Sequence, residues 1–439
     1  MKILIIANEE WNDYVFGNGV LTNWFTGFDA EFAEVYASPG LPLNKVCQRY
    51  FQIHDKQMAK SLLGLCKAGG IVKMPESRDL IDAAKENIQR KGIYGILKRV
   101  SLTFNTPIQL IRDFIWLNGR YDTDSLEKFV REFDPDVVFC PRLITPKLMR
   151  LEKLVSNYTK APFVAFTGDC EVEMAKCKMY TLSGIRRWWT HRMFTKHVKL
   201  YSHYLMHSAD QAKEYHDEYH VETSTFFKCG EFAREFVPKQ VNTPIRLVYA
   251  GRLYCNRWKS LAEIGKALKV INKDNVKIVL DIYTQEKLTT EQAKTLTEEN
   301  YIYIKGSVSP EQLKAVYKNA DIALHVESLD KYYREVTRVS FSTKIIDLMA
   351  SSCAIMAICW NKHCGYQYLK EHDAAFCISD YKDILPQIQQ ICDNPSLIKE
   401  YARKAYNCGV KRHNRSSVQT YLRQVFEKAI SSNENLRNH

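Results

Sequence analysis

The chain has 439 residues, 46% of them hydrophobic, enough for two or three globular cores and unlike a disordered polypeptide. Its longest uncharged stretches, 100–111 and 348–361, carry polar residues and fall short of the ~18–20 apolar residues that cross a bilayer. Thirteen cysteines without a C-x-x-C pair argue for reduced thiols over a disulfide framework, and a net charge of +12 asks for an anionic partner: phosphorylated substrate, membrane surface or nucleic acid. Solvated lysine on open faces is the plain alternative.

The first ten residues, MKILIIANEE, give five apolar positions before Asn8, Glu9 and Glu10. A secretory segment needs roughly 7–15, so a first β-strand at 2–7 and a cytoplasmic protein are expected. A loop with Gly17, Asn18 and Gly19 follows, then a helix from about Val20. Further strands are predicted at 33–38, 136–140, 162–167, 204–207 and 223–227, with amphipathic helices at 125–133, 146–157 and 209–219. The stretch 55–121 does not alternate cleanly and reads as a mostly helical insert. Residues 238–244, with Pro238 and Pro244 and no periodicity, read as a linker.

A second series begins beyond it. Strands are expected at 245–250, 276–283, 301–305, 321–326, 354–358 and 374–378. Ser309 caps a helix over 309–319, with Pro310 at its first position. From Asp380 the pattern is helical, and the last helix, 418–431, has no strand to serve. Strands alternating with helices in both halves give an α/β class with parallel sheets.

Three clusters carry chemistry. In LVYAGRLYCNRWK, a strand breaks at Gly251 into a loop with Arg252, Arg257 and Lys259; cations beside a close-approaching backbone, Arg252 and Lys259 above all, can clamp a diphosphate. In SFSTKIIDLMASS, Ser342, Thr343 and Lys344 open a helix that carries Asp347, offering an anion site and an acid within reach of a ribose hydroxyl. Gly306 and Ser307 lie in a strand-to-helix loop where a nucleobase can rest on backbone. Each alone also reads as an ordinary surface loop or capped helix. In the N-terminal half, Thr167, Gly168 and Asp169 end a strand, with Asp169 either an acceptor contact or a turn cap.

Order and spacing together resemble a family 4 (group 1) glycosyltransferase of the GT-B fold, from Thr223 to about Tyr406. The motifs are FFKCGEF, LVYAGRL…K, IKGSVSPEQLKAVYKNADIAL and FSTKIIDLMASSCAIMAI. The resemblance implies two Rossmann-like domains facing a central cleft, with the last helix crossing back to the N-terminal domain. The expected bounds are 1–238 for the acceptor domain, 239–410 for the nucleotide-sugar domain and 411–439 for the returning helix. It implies donor diphosphate on Arg252 and Lys259, the base at Gly306, ribose at Asp347, phosphates near Ser342–Lys344, and Gly17–Gly19 facing donor phosphate or acceptor. Two glutamates with seven residues between them mark many relatives. Here the second is shortened to Asp347 and the first position holds Val339. Glu327 and Glu335 have that spacing but lie twelve residues too early for the LMASS helix, so Glu327 or Glu335 is a sugar contact only by folding back.

The expected activity is transfer from a nucleotide-diphosphate-sugar to a saccharide or lipid-linked acceptor, with retention and without a metal. The setting it implies is bacterial surface polysaccharide or lipopolysaccharide synthesis. A non-catalytic relative and a sugar-nucleotide epimerase are the alternatives. Residues 88–112 and 183–201 interleave cations with apolar or aromatic residues and contain no acid before position 113, which suits the inner face of an anionic membrane. No nucleic-acid module accompanies the charge. His203 with His207, and Cys359, His363 and Cys364, lack the spacing of a zinc site, so no metal is expected.

Overall fold

A computed structural model describes residues 1–14, 19–85, 105–141, 144–168, 181–297 and 301–438. Gly17, Asn18, Asp169 and most of 88–112 fall outside them. The chain forms two compact units, Met1–Phe226 with Gln419–His439, and Phe227–Val418.

The first unit holds an eight-stranded sheet: β1 (Lys2–Ala7), β2 (Glu31–Tyr36), β3 (Arg49–Gln52), β4 (Gly70–Val72), β5 (Val137–Pro141), β6 (Phe163–Thr167), β7 (Tyr201–Met206) and β8 (Thr223–Thr225). The spatial order is β4-β3-β2-β1-β5-β6-β7-β8, and every pair is parallel except β3–β4. β1 is buried along all but its first residue, as expected of a central strand covered by helices on both faces.

Among its described residues the 55–121 insert is mostly helical. Helices Asp55–Leu62, Arg78–Lys85 and Asn105–Asn118 are present, but Gly70–Val72 adds an antiparallel edge strand. Runs of three and four residues are too short for a clear period-two signal, which is why β4 and β3 escaped prediction.

The second unit is a six-stranded all-parallel sheet of β9 (Ile245–Ala250), β10 (Ile278–Tyr283), β11 (Ile302–Gly306), β12 (Ile322–Val326), β13 (Ala354–Ile358) and β14 (Phe376–Ile378). Its order, β11-β10-β9-β12-β13-β14, is the doubly wound arrangement that reverses direction between β9 and β12. Ser309 caps the helix Pro310–Lys318 in a capping box, its hydroxyl accepting from Gln312 N–H while the Gln312 side chain accepts from Ser309 N–H.

The units part at Phe227, ahead of the Pro238–Pro244 linker. Phe227 packs on Phe341 and Tyr368, Phe232 on Tyr406, and Gly230 N–H donates to His413 O. Aromatic burial in the second core outweighs the local signal of two prolines. The final helix, Arg415–Asn438, returns to the first unit from Gln419 onward. Gln419 donates to Trp24 O and Thr26 O, and Phe426 packs against Phe28 and Phe139.

Candidate active site

The reversal between β9 and β12 sets the location, because two neighbouring crossovers leave in opposite directions and open a crevice at the strands' carboxyl ends. Gly251 follows β9, and its N–H donates to Tyr283 O at 2.9 Å, continuing the ladder with β10. A Cβ at Gly251 would lie 2.8 Å from Lys344 Nζ and 3.0 Å from the Tyr249 hydroxyl. Only glycine lets that ammonium approach the backbone. Lys344 Nζ then donates to Ala250 O at 3.0 Å, and Tyr249 donates to Arg252 O at 2.6 Å.

Beyond Arg252 the loop turns through left-handed conformations at Cys255 and Asn256 into the helix Arg257–Ile271. Arg257 heads it with a bidentate fork onto Glu327, Nε to Oε2 at 2.9 Å and Nη2 to Oε1 at 2.7 Å. Its guanidinium also lies 4.6 Å from the Tyr254 ring centroid. Glu327 is the first residue past β12 and is buried. Its N–H donates to Ile358 O and its carbonyl accepts from Ser260 Oγ. Burial works against the Arg257 charge, but the Glu327 carboxylate outweighs it and raises the pKa.

Lys344 heads the short helix Lys344–Ala350 and extends from solvent into this cluster, so its ammonium end is desolvated although the side chain as a whole is exposed. That desolvation lowers its pKa, Arg257 and Arg252 lower it further, and Glu327 and Asp347 oppose them. Arg252, Arg257 and Lys344 are thus brought together. Lys259, expected in the diphosphate clamp, is not among the charges acting most strongly on Lys344. Its ammonium pairs with Asp330 at 3.3 Å and lies 5.8 Å from the Trp258 ring centroid. Two residues along a helix turn a side chain by about 200°, enough to send Arg257 and Lys259 to different partners.

Asp347 accepts both its contacts from Lys228 Nζ, at 2.6 and 2.8 Å, and remains half exposed. The helix cap falls on Thr343, not Ser342, and its hydroxyl makes no capping hydrogen bond; Ser342 and Thr343 instead give their carbonyls to Ile345 and Ile346 N–H. Gly306 has φ +77°, a left-handed conformation that glycine accepts without strain, and its carbonyl accepts from Thr284 N–H. Ser307 is exposed beside it. Glu335 sits half-buried on the helix Lys331–Val336. In the first unit, Gly19 opens the helix Gly19–Phe25 and is exposed.

Lys228 is the residue the sequence did not single out, and the pairing of Arg257 with Glu327 was not foreseen. A signal for that pair existed: the two residues follow the strands on either side of the switch point. Lys228 lies in FFKCGEF, where nothing local marks it.

Beneath the pair, His325, Cys359 and His363 are buried, with ligand atoms within 4.8 Å of one another. Gly365 N–H donates to His363 Nδ1 at 3.1 Å, which places the proton of a neutral ring on Nε2 and occupies the lone pair on Nδ1. That state of the ring offers no free lone pair to a metal. The other histidine pair is occupied by protein: His203 Nε2 meets Ser224 Oγ at 2.7 Å and His207 Nδ1 meets Phe226 O at 2.7 Å. A hollow in the first unit, lined by Asp134, Asp136, Tyr158 and Asn433, lies at the amino ends of β5 and β6, the opposite edge from phosphate chemistry.

Residues 248–423 match a family described as glycosyl transferase-like, a span that includes Arg252, Arg257, Glu327 and Lys344. Two parallel-sheet units of this kind are the GT-B fold, shared at low identity with solved structures. Sucrose-phosphate synthase from Thermosynechococcus elongatus matches with TM-score 0.56 and 10% identity over 98% of this chain and 99% of that one. Anabaena HepE in complex with UDP and glucose gives 0.57 and 11% over 98% and 100%. TarM of S. aureus gives 0.50 and 13% over 70% of this chain and 59% of its own length, so the chain spans about three fifths of that protein. No curated protein sequence matches.

Proposed function

We propose that the protein is a glycosyltransferase that moves a sugar from a nucleotide-diphosphate-sugar to a saccharide or lipid-linked acceptor. One observation carries this: Arg252, Arg257 and Lys344 gather at the switch point, with the Lys344 ammonium held against the backbone at Gly251, inside a glycosyl transferase-like segment. HepE, of the same fold, is in complex with UDP and glucose, which supports a uridine nucleotide as the first donor to try.

In this reading the bond between the anomeric carbon and the diphosphate oxygen breaks while the acceptor oxygen bonds to that carbon. The acceptor proton leaves to the departing phosphate or solvent. The cations stabilise negative charge that grows on the diphosphate, worth roughly 1.5–3 kcal/mol per charge-assisted contact. Fixed cations can serve this purpose without a metal, which is the basis for a metal-independent reaction. Asp347 would release Lys228 in part to hold the ribose, and Gly306 and Ser307 would border the base. Retention, a family 4 assignment and a place in bacterial surface polysaccharide or lipopolysaccharide assembly rest on the motif resemblance. A cytoplasmic protein held at the membrane face fits that setting; among the described residues no helix is long and apolar enough to cross a membrane. Gly17, Asn18 and Asp169 remain candidates for the acceptor side.

The test is a thermal-shift screen with UDP, GDP and their sugars, followed by product analysis with acceptors. A donor should stabilise the wild type by mass action and not the Lys344→Ala variant. Equal stabilisation of both would overturn the cluster's role. A non-catalytic reading draws on Val339, a buried apolar residue where relatives carry an acid. Donor binding with neither hydrolysis nor transfer would favour it, and an epimerised nucleotide-sugar without acceptor would favour the epimerase.

A further inference from the structure

Two neighbouring helices of the first unit have apolar side chains on both faces. Asn105–Asn118 buries Asp113 and Trp116 but leaves Ile108, Ile111 and Phe114 39%, 61% and 60% exposed. Leu182–His197 buries Gly184, Thr190 and Phe194 but leaves Leu182, Ile185 and Trp188 57%, 48% and 41% exposed. Both triads step by three residues, so each forms a stripe along one side of its helix. Arg186 ties the helices together, with Nε 2.7 Å and Nη2 3.3 Å from the buried Asp113. Single exposed apolar residues are ordinary, but two stripes of three on helices joined by an ion pair mark a surface with a partner.

The charge on the second helix identifies that partner. Its exposed stripe continues from Trp188 into Arg192, Lys196 and Lys199, and the Arg192 guanidinium lies 5.7 Å from the Trp188 ring centroid. Residues 182–201 hold five lysines or arginines and no acid. A protein partner could match such a surface only with a fitted array of acids. A sheet of lipid phosphates matches it at any register, with an aromatic at the boundary and the apolar stripe below it.

We infer that this face seats the protein on an anionic bilayer surface, the six apolar side chains entering the acyl boundary and the three cations meeting lipid phosphates. The inference rests on the first unit alone and does not need the donor site. It refines the sequence expectation: the exposed stripes assign the contact to 105–118 and 182–199.

Co-sedimentation of the full chain with phosphatidylcholine vesicles, with and without phosphatidylglycerol, tests it. Binding should require the anionic lipid and weaken with salt. Lys196→Glu with Lys199→Glu should weaken it at least 25-fold, since each cation lost near the surface counts for roughly fivefold. Ile111→Ser with Trp188→Ser should weaken it at least tenfold. Circular dichroism and melting of both variants should match wild type, and their activity on a water-soluble acceptor should be unchanged, which keeps this test separate from the donor assignment. Equal binding to neutral vesicles, or variants that bind as tightly as wild type, would overturn the proposal. So would a dimer in solution that the apolar variant dissociates while vesicles go unbound, because the face would then belong to a second copy.

Discussion

Both sheets reverse direction once, at β9/β12 in the second unit and at β1/β5 in the first, and the two edges handle buried charge in opposite ways. At the first, Glu327 is buried against a cation and Arg257 keeps its charge. At the second, Glu34 is buried in β2 with one carboxylate oxygen accepting from Trp11 N–H and the other unpartnered, and burial, followed by the nearby Glu10, raises its pKa well above the usual range. Glu10 is raised in the same way and meets the Ser38 hydroxyl. Lys147, buried with Nζ 3.0 Å from Ala37 O, is pushed down to about 7 by desolvation and then by Arg112. The same topology therefore pairs its buried carboxylate with a cation in one unit and leaves it on a backbone N–H in the other. Pairing geometry, not strand order, makes the difference.

The sharpest way to break this comparison is to strip the pair. Arg257→Ala should cost about 3–5 kcal/mol of stability in urea unfolding, because Glu327 would be left buried and unpaired. The double change Arg257→Met with Glu327→Leu should recover most of that loss while donor binding stays lost. Recovery of both would show that the pair serves only the fold.

Next come the cations that touch no buried acid. Arg252→Ala and Lys344→Ala should each lower kcat/KM by roughly 10–150-fold with melting nearly unchanged, the range of one charge-assisted contact. Lys259→Ala should lower it severalfold at most, since its half-exposed pair with Asp330 is a surface interaction. A larger loss there than at Lys344 would support the clamp expected from sequence.

A pH profile separates the two edges more finely. Lys344 is held below its ordinary pKa in the free protein, and a bound diphosphate should raise it again. Nucleotide affinity measured by calorimetry should therefore fall as pH rises through the free-state value, with proton uptake on binding between the free-state and bound-state values. The Lys344→Met variant should lose that uptake.

The smallest effect belongs to Lys147. Its folded pKa is about 7 against 10.5 unfolded, so between those values the unfolded chain holds the extra proton and stability rises with pH. Lys147→Met should raise the melting temperature by about 2–4 °C at pH 7, with the gain shrinking toward pH 10. A lower melting temperature at pH 7 would mean that the hydrogen bond to Ala37 outweighs the burial.

What the sequence by itself determined lies in the runs long enough to carry a period. The alternation of strands and helices, β1, β9 and β13 to the residue, the helix Ala209–Tyr219 and the Ser309 cap all follow from local side-chain pattern. So did the neighbourhoods of Gly251 and Lys344, because a glycine break and a lysine at a helix start are written in adjacent residues. The edge strand Gly70–Val72, the parting of the units at Phe227 and the partners of Arg257 and Asp347 had no such local mark. Glu327 lies 70 residues from Arg257, and Lys228 lies 119 from Asp347. Tertiary structure decided these pairings, since each depends on which strand becomes the neighbour of which across the reversal, and side-chain periodicity carries no record of that.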